Sequence, residues 1–253
     1  MRLSIVASVR NRLGDTRRWL ESIAQQENIG QIDVQLVNFG SIDDMEQVRH
    51  QGVSMQIIDV PYHPGPYPEW WLKNIGIKHA TGEVVLCTNV DIVYAPDFMH
   101  QVMTTIRPGM LVQALRLDAT KGVAVNPNAS MNAKGDEKGV PVSLVVDHEG
   151  LYTPTTACGD CQALHQADWK YLRGYDEEMA GWGGGDQDLT CRVLGSGMDL
   201  HIMGYSHARH IHAWHPNDEQ RKIVDGRRNG ELLRRGMAEA SFIRNPDTWG
   251  KLP

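Results

Sequence analysis

Apolar runs and amphipathic stretches take turns along the first hundred residues, and this alternation limits the folds open to the chain. Leu3 to Val9 is a short β-branched run, the pattern of a buried strand. Asp15 or Thr16 can cap a helix running to about Gln25. Ile32 to Val37 reads as a second strand and ends in the polar turn Asn38-Phe39-Gly40. Ser41-Ile42-Asp43-Asp44 opens another helix, with acids in the first turn where the helix dipole favours them. Val53 to Val60 is a third strand. Four prolines then fall between Pro61 and Pro68, which makes a stiff, irregular loop. Glu69 to Ala80 is a helix, and Glu83 to Thr88 a fourth strand apolar enough for the middle of a sheet. Such alternation predicts an α/β fold with a mostly parallel central sheet flanked by helices. Ligands of these sheets sit beyond the carboxyl ends of the strands. Those ends here are Val9-Arg10-Asn11, Asn38-Phe39-Gly40 and Asn89-Val90-Asp91.

Beyond Pro96 the regularity decays. Lys121 to Glu149 is rich in Gly, Asn, Lys and Asp and reads as a long mobile loop. Gly185 to Leu194 opens a short helix, and Asp218 to Met237 is a charged amphipathic one. The 253 residues are expected to form one domain, with a first half at 1–100, a second at 101–216 and a C-terminal helical extension at 217–253. A formal charge of −6 argues against a nucleic-acid binder. No window reaches the length of a transmembrane segment, and the N-terminus lacks a signal peptide's apolar core, so a cytoplasmic protein is expected. Four cysteines do not make a disulfide framework in a chain this long; Cys158 and Cys161 read as reduced thiols before half of a zinc site.

Four groups of residues carry candidate chemistry. Asp91, just past a buried strand, can hold a divalent cation against a phosphate, or simply cap the next segment. Gly181-Trp182-Gly183-Gly184-Gly185-Asp186-Gln187-Asp188 places four glycines in five residues before two acids. Its backbone can approach a ligand closely, and Trp182 offers an apolar platform for a sugar ring; the plain alternative is a flexible loop with an aspartate cap. Asp186 and Asp188 are two apart and do not share a helix face, so they have separate tasks. Five of the eleven histidines lie between His201 and His215, and His212 and His215 have the spacing of a metal clamp. Arg10 and Arg12, after the first strand, can bind a diphosphate or remain solvated.

In order along the chain, these pieces resemble a nucleotide-sugar-dependent glycosyltransferase of the GT-A fold, a Rossmann-like nucleotide-diphospho-sugar transferase fold. The similarity is closest to the β-1,4-galactosyltransferase and chondroitin-polymerase-like branch, alongside the broad family 2 enzymes. Ser4 to Arg12 resembles the first strand and FRNR-like turn that receive the nucleotide. Lys73-Asn74-Ile75-Gly76 resembles the helix before the metal strand, and Asn89-Val90-Asp91 stands where the family has its DxD. Gly181 to Asp188 resembles the GWGGEDDD segment and is the most specific part. The first acid of DxD is replaced by Asn89, and the glutamate expected before Asp186 is Gly185.

The resemblance implies a nucleotide-sugar-binding half at 1–100 and an acceptor and catalytic half at 101–216. It implies donor contacts from Val9, Arg10, Asn11, Arg12, Lys73, Asn74, Asn89, Val90 and Asp91. It places Trp182, Gly183 and Gly184 against the acceptor, and Mn²⁺ or another divalent cation on Asp91, His212 and His215. The implied reaction moves a sugar from a UDP-sugar to a hydroxyl of a saccharide or other acceptor with inversion. Asp186 is then the general base, and Asp188 a supporting catalytic residue or acceptor contact. The alternatives are a retaining enzyme akin to N-acetylgalactosaminyltransferases, a metal-dependent nucleotidyltransferase or hydrolase on the same scaffold, and a sugar-binding module without catalysis.

Overall fold

The structure is a computed structural model that describes residues 1–114, 117–118, 144–146, 152–154, 160–203, 210–212, 219–239 and 241–252. In chain order the first strands and helices are β1 (Leu3–Val9), α1 (Leu13–Ala24), β2 (Ile32–Phe39), β3 (Ser54–Val60), α2 (Glu69–His79), β4 (Val84–Thr88), β5 (Ile92–Tyr94), α3 (Phe98–Thr105) and β6 (Met110–Ala114). They are followed by β7 (Leu117–Asp118), β8 (Leu144–Val146), β9 (Tyr152–Pro154), β10 (Gln162–His165), α4 (Gln166–Leu172), α5 (Gly185–Gly195), β11 (Asp199–Met203), β12 (His210–His212) and α6 (Glu219–Ala238).

Seven strands form the central sheet in the order β11-β6-β10-β4-β1-β2-β3. Every neighbouring pair is parallel except the two made by β10, which runs antiparallel to β4 and β6. The expected α/β fold with a mostly parallel sheet is therefore present. Alternation along β1 explains how both faces are covered, since successive side chains point to opposite sides. Leu3, Ile5, Ala7 and Val9 pack with Trp19, Leu20 and Ile23 of α1 and Phe98, Met99 and Val102 of α3. Val6 points the other way, into a cluster with Trp70 and Ile77 of α2, Trp169 and Leu172 of α4, and Leu189 and Val193 of α5. Each large apolar side chain removed from water contributes about 1.5–3 kcal/mol, which offsets the entropy of ordering the chain.

One expected helix is absent. Ser41 to Asp44 does not open an α-helix; only a short 3₁₀ turn forms, at Met45–Val48. Met45 and Val48 alone reach the core there, too few apolar positions to hold an amphipathic helix against the sheet. The loop expected within Lys121 to Glu149 lies outside the described residues apart from β8, which pairs with β9 in a separate two-stranded sheet. A third sheet, β5-β12-β7, sets β12 antiparallel to β5 with His212 opposite Ile92. That pairing brings the late histidine strand beside Asp91.

Candidate active site

Strands β1 and β4 are parallel neighbours, so the turns after Val9 and after Thr88 open on the same edge of the sheet. On that edge the guanidinium of Arg12 donates to Asp91 through Nη1, 2.7 Å from Oδ2. The same carboxylate oxygen lies 3.6 Å from Nε2 of His212. Two donors at right angles, each about 2.1 Å from one cation, stand about 3 Å apart, so this pair can face a common ion with little adjustment. A carboxylate with an imidazole also suits a divalent transition metal. The donor set fits on the two residues described; His215 lies outside the described residues, and among those described no three His, Cys, Asp or Glu side chains gather round one point.

The three turns at this edge are tied to one another. Asn11 adopts the left-handed conformation (φ 54°). Its N–H donates to Ser41 Oγ at 3.0 Å, and its Oδ1 accepts the N–H of Ile42 at 2.8 Å. Asn38 Oδ1 accepts the N–H of Ser41, and its amide donates to Asp59 Oδ1 at 2.8 Å. Arg10 lies over Tyr62, its guanidinium carbon 3.8 Å from the ring centroid. Phe39 meets Tyr62, His63 and Tyr67 edge-on. The proline-rich loop thus supplies an aromatic wall beside the turn of Arg10 and Arg12. Asn38 and Phe39 stand at the second of the three strand ends expected to meet a ligand; Asp59 and Tyr62 were not singled out from the sequence, and the signal available for Tyr62 was the aromatic content of the four-proline loop.

Other expected donor contacts are placed differently. The side chains of Val9 and Val90 are core residues, so only their backbone could meet a ligand. Asn74 is fully buried and spends its amide on Tyr175 and Glu177: Nδ2 donates to Tyr175 O and Glu177 Oε1, and Oδ1 accepts the N–H of Tyr175. It pins the segment before the glycine–tryptophan loop and does not line the opening. Lys73 is buried too, and Nζ donates to Glu69 Oε1 at 2.7 Å and to Asn89 Oδ1 at 2.9 Å. It therefore acts from beneath Asn89, which is itself partly exposed.

Asp186 stands in the first turn of α5, partly buried. Its backbone carbonyl accepts from Gln162 Nε2 at 3.1 Å and Thr190 Oγ1 at 2.8 Å. Loss of water around the carboxyl pushes its pKa up to about 6, and the charge of Glu69 adds to the rise; the N–H of Gln187 and the charge of Lys73 oppose it. Trp182 is 55% exposed. Gly183 and Gly184 follow it with positive φ. Gly185 is confined: a Cβ there would stand 2.4 Å from the indole of Trp70, so the expected glutamate has no room.

Asp188 corrects an expectation. Its side chain is wholly buried, with Oδ2 2.6 Å from Nε of Arg192 and Oδ1 3.1 Å from Nε of Arg244. Arg192 continues to the carbonyls of Leu172 and Gly174. A carboxylate with both oxygens engaged inside the core does not reach an acceptor or take a proton from one. Its separate task is to fasten α5 to the C-terminal segment. Cys161 is buried at the start of β10, while Cys158 lies outside the described residues.

Comparison with known proteins meets this geometry from two sides. Residues 141–216 match the family described as the N-terminal domain of galactosyltransferase. None of the curated protein sequences matches the chain significantly. Among solved structures it is similar to S. aureus TarS, at 14% identity and a TM-score of 0.65, over 96% of this chain and 41% of that one. Residues 1–349 of TarS in complex with UDP-GlcNAc give the same identity and TM-score over 96% of this chain and 68% of that one. The mannosyltransferase PcManGT from Pyrobaculum calidifontis, in complex with GDP-Man and Mn²⁺, gives 15% and 0.61 over 100% of this chain and 66% of that one. The fold is the GT-A fold. On that fold the chain carries, over residues 141–216, a segment that matches the galactosyltransferase family. The chain spans about two fifths of the longer TarS chain it resembles. Among the described residues no helix is long and apolar enough to cross a membrane.

Proposed function

We propose that the chain transfers a sugar from a nucleoside-diphosphate sugar to an acceptor hydroxyl with inversion. The observation that carries this reading is the meeting of Arg12, Asp91 and His212 at the carboxyl edge of the sheet. A guanidinium there can bind the diphosphate through charge-assisted hydrogen bonds. Asp91 and His212, joined by His215, would hold the cation. A divalent ion held there supplies positive charge against the leaving diphosphate. Arg10 and Tyr62 offer a stack for the base, and Asn38 with Asp59 lie at the ends of β2 and β3 where a base edge can be read. UDP-sugar is the proposed donor; TarS with UDP-GlcNAc supports it.

On the acceptor side, Trp182 receives a sugar ring or other flat apolar face. Asp186 takes the proton of the acceptor hydroxyl as its oxygen attacks the anomeric carbon. The bond from that carbon to the diphosphate oxygen breaks, and its electron pair leaves with the nucleoside diphosphate. A carboxylate with a pKa of about 6 accepts a proton more readily than an ordinary one and is still ionised at neutral pH. Attack from the side opposite the leaving group inverts the anomeric centre.

The test is a panel of UDP- and GDP-sugars with Mn²⁺, following nucleoside diphosphate release with and without saccharide acceptors. Acceptor-stimulated release with a product of inverted configuration by NMR is expected. Release independent of every acceptor would instead mark a hydrolase.

A further inference from the structure

We infer that Asp225 and Asn229 of α6 are positioning residues for sugar transfer, because they hold the loop that presents Trp182 and leads into Asp186. The inference rests on the reading of that loop as the acceptor and base segment. Residues 180–184 lie outside helix and strand, so their backbone groups need other partners. Asn229 is fully buried and shares the two N–H groups of its amide among three of the carbonyls: Nδ2 lies 2.7 Å from that of Gly183, 3.1 Å from that of Ala180 and 3.2 Å from that of Trp182. Arg228 also donates to the carbonyl of Ala180. One turn earlier on the same helix face, Asp225 Oδ2 accepts the N–H of Trp182 at 3.1 Å. Gly181 (φ 73°) passes so close that a Cβ would stand 2.0 Å from that carboxylate. Gly226, between them, backs the indole of Trp182.

The clamp grips both ends of what the reaction needs. Gly184 is the residue before α5, and Asp186 sits in the first turn. A shift of 180–184 therefore moves the platform and the base together. Misplacing a reacting group by about 1 Å can cost on the order of 10²-fold in rate. The donor turns of Arg12 and Asp91 belong to other elements, and the loop meets the donor side at one backbone bond, from the N–H of Gly181 to the carbonyl of Tyr67 at 2.7 Å.

The experiment has two arms on the whole chain. In the first, amide hydrogen exchange is compared for the wild type and Asn229→Ala. Exchange over 180–184 should rise by at least tenfold while β1 and β4 stay protected. In the second, transfer kinetics are measured for Asn229→Ala, Asp225→Ala and Asp225→Asn. The alanine variants should lose roughly 10- to 100-fold in kcat/KM for the acceptor with the donor KM within about twofold of wild type. Asp225→Asn keeps an acceptor oxygen in place and should recover most of the loss. Should Asn229→Ala fail to fold, Asp225→Ala with its asparagine rescue carries both arms. Unchanged exchange, unchanged acceptor kinetics, or an equal loss in donor and acceptor constants would each overturn the inference. Wild-type enzyme assayed alongside reports on sugar transfer itself, and the exchange arm decides the clamp whatever that assay gives.

Discussion

Arg12 and Asp91, 79 residues apart in the chain, form an ion pair at 2.7 Å, and the Asp91 oxygen they share also faces His212. One oxygen therefore serves both the guanidinium and the imidazole side. If Asp91 and His212 held a cation between them, Arg12 would lose part of this contact, and its guanidinium would be available to a diphosphate.

Replacing Arg12 by Met should separate these two roles. Mn²⁺ binding without nucleotide should tighten, because a competing positive charge is gone. UDP binding with Mn²⁺ present should weaken by about 10- to 100-fold, the scale of a lost charge-assisted hydrogen bond. Calorimetric titration of each ligand reads both changes; weakening of both would mean that Arg12 supports the Asp91 geometry and does not compete for it.

His212→Ala should weaken Mn²⁺-dependent UDP binding by more than about tenfold and leave the melting temperature near wild type. Titration of UDP with and without Mn²⁺ checks this. A metal dependence untouched by the variant removes His212 from the site.

Asp188→Asn should act on stability before chemistry. It leaves Arg192 and Arg244 facing each other across a neutral group in the core. Breaking a buried pair in this way costs about 3–5 kcal/mol. Chemical denaturation should show a loss on that scale. A fully stable variant with a raised acceptor KM would return Asp188 to the acceptor side.

Asp186→Asn should do the opposite above neutral pH. The folded protein holds the Asp186 proton more tightly than the unfolded chain does, since its pKa rises from 3.8 to about 6. Stability from that proton is fully present below the unfolded value and is lost as pH rises through about 6. At pH 8 the wild type carries the cost of a desolvated carboxylate, and the asparagine variant should be more stable by roughly 1–3 kcal/mol. Near pH 4 the two should melt together. Thermal or urea melts across that range give the comparison.

The strands and most helices of the first hundred residues were legible because burial and periodicity are local properties. Ser41 to Asp44 misled because a good cap sequence opens a helix only where an apolar stripe follows, and here Met45 and Val48 are all that reach the core. Asp91, Arg12 and Asp186 could be named from residue type at strand and helix ends. Asn74 and Asp188 could not be placed, because their burial depends on partners such as Tyr175 and Arg244, far away in sequence. Asp225 and Asn229 gave no signal at all: polar residues on a charged amphipathic helix read as a solvated face until the loop they hold is seen.

The role of Asp186 as base is the central claim, and transfer by Asp186→Asn at saturating donor tests it most directly. The substitution keeps the shape of the side chain and removes its basicity. A placed base is worth about 10²–10⁴ in rate, so turnover should fall on that scale with UDP and Mn²⁺ affinity near wild type. Wild-type turnover should rise with pH through about 6, and the residual activity of the variant should lack that rise. Near-full turnover in the variant, with the wild-type pH profile intact, would contradict the account.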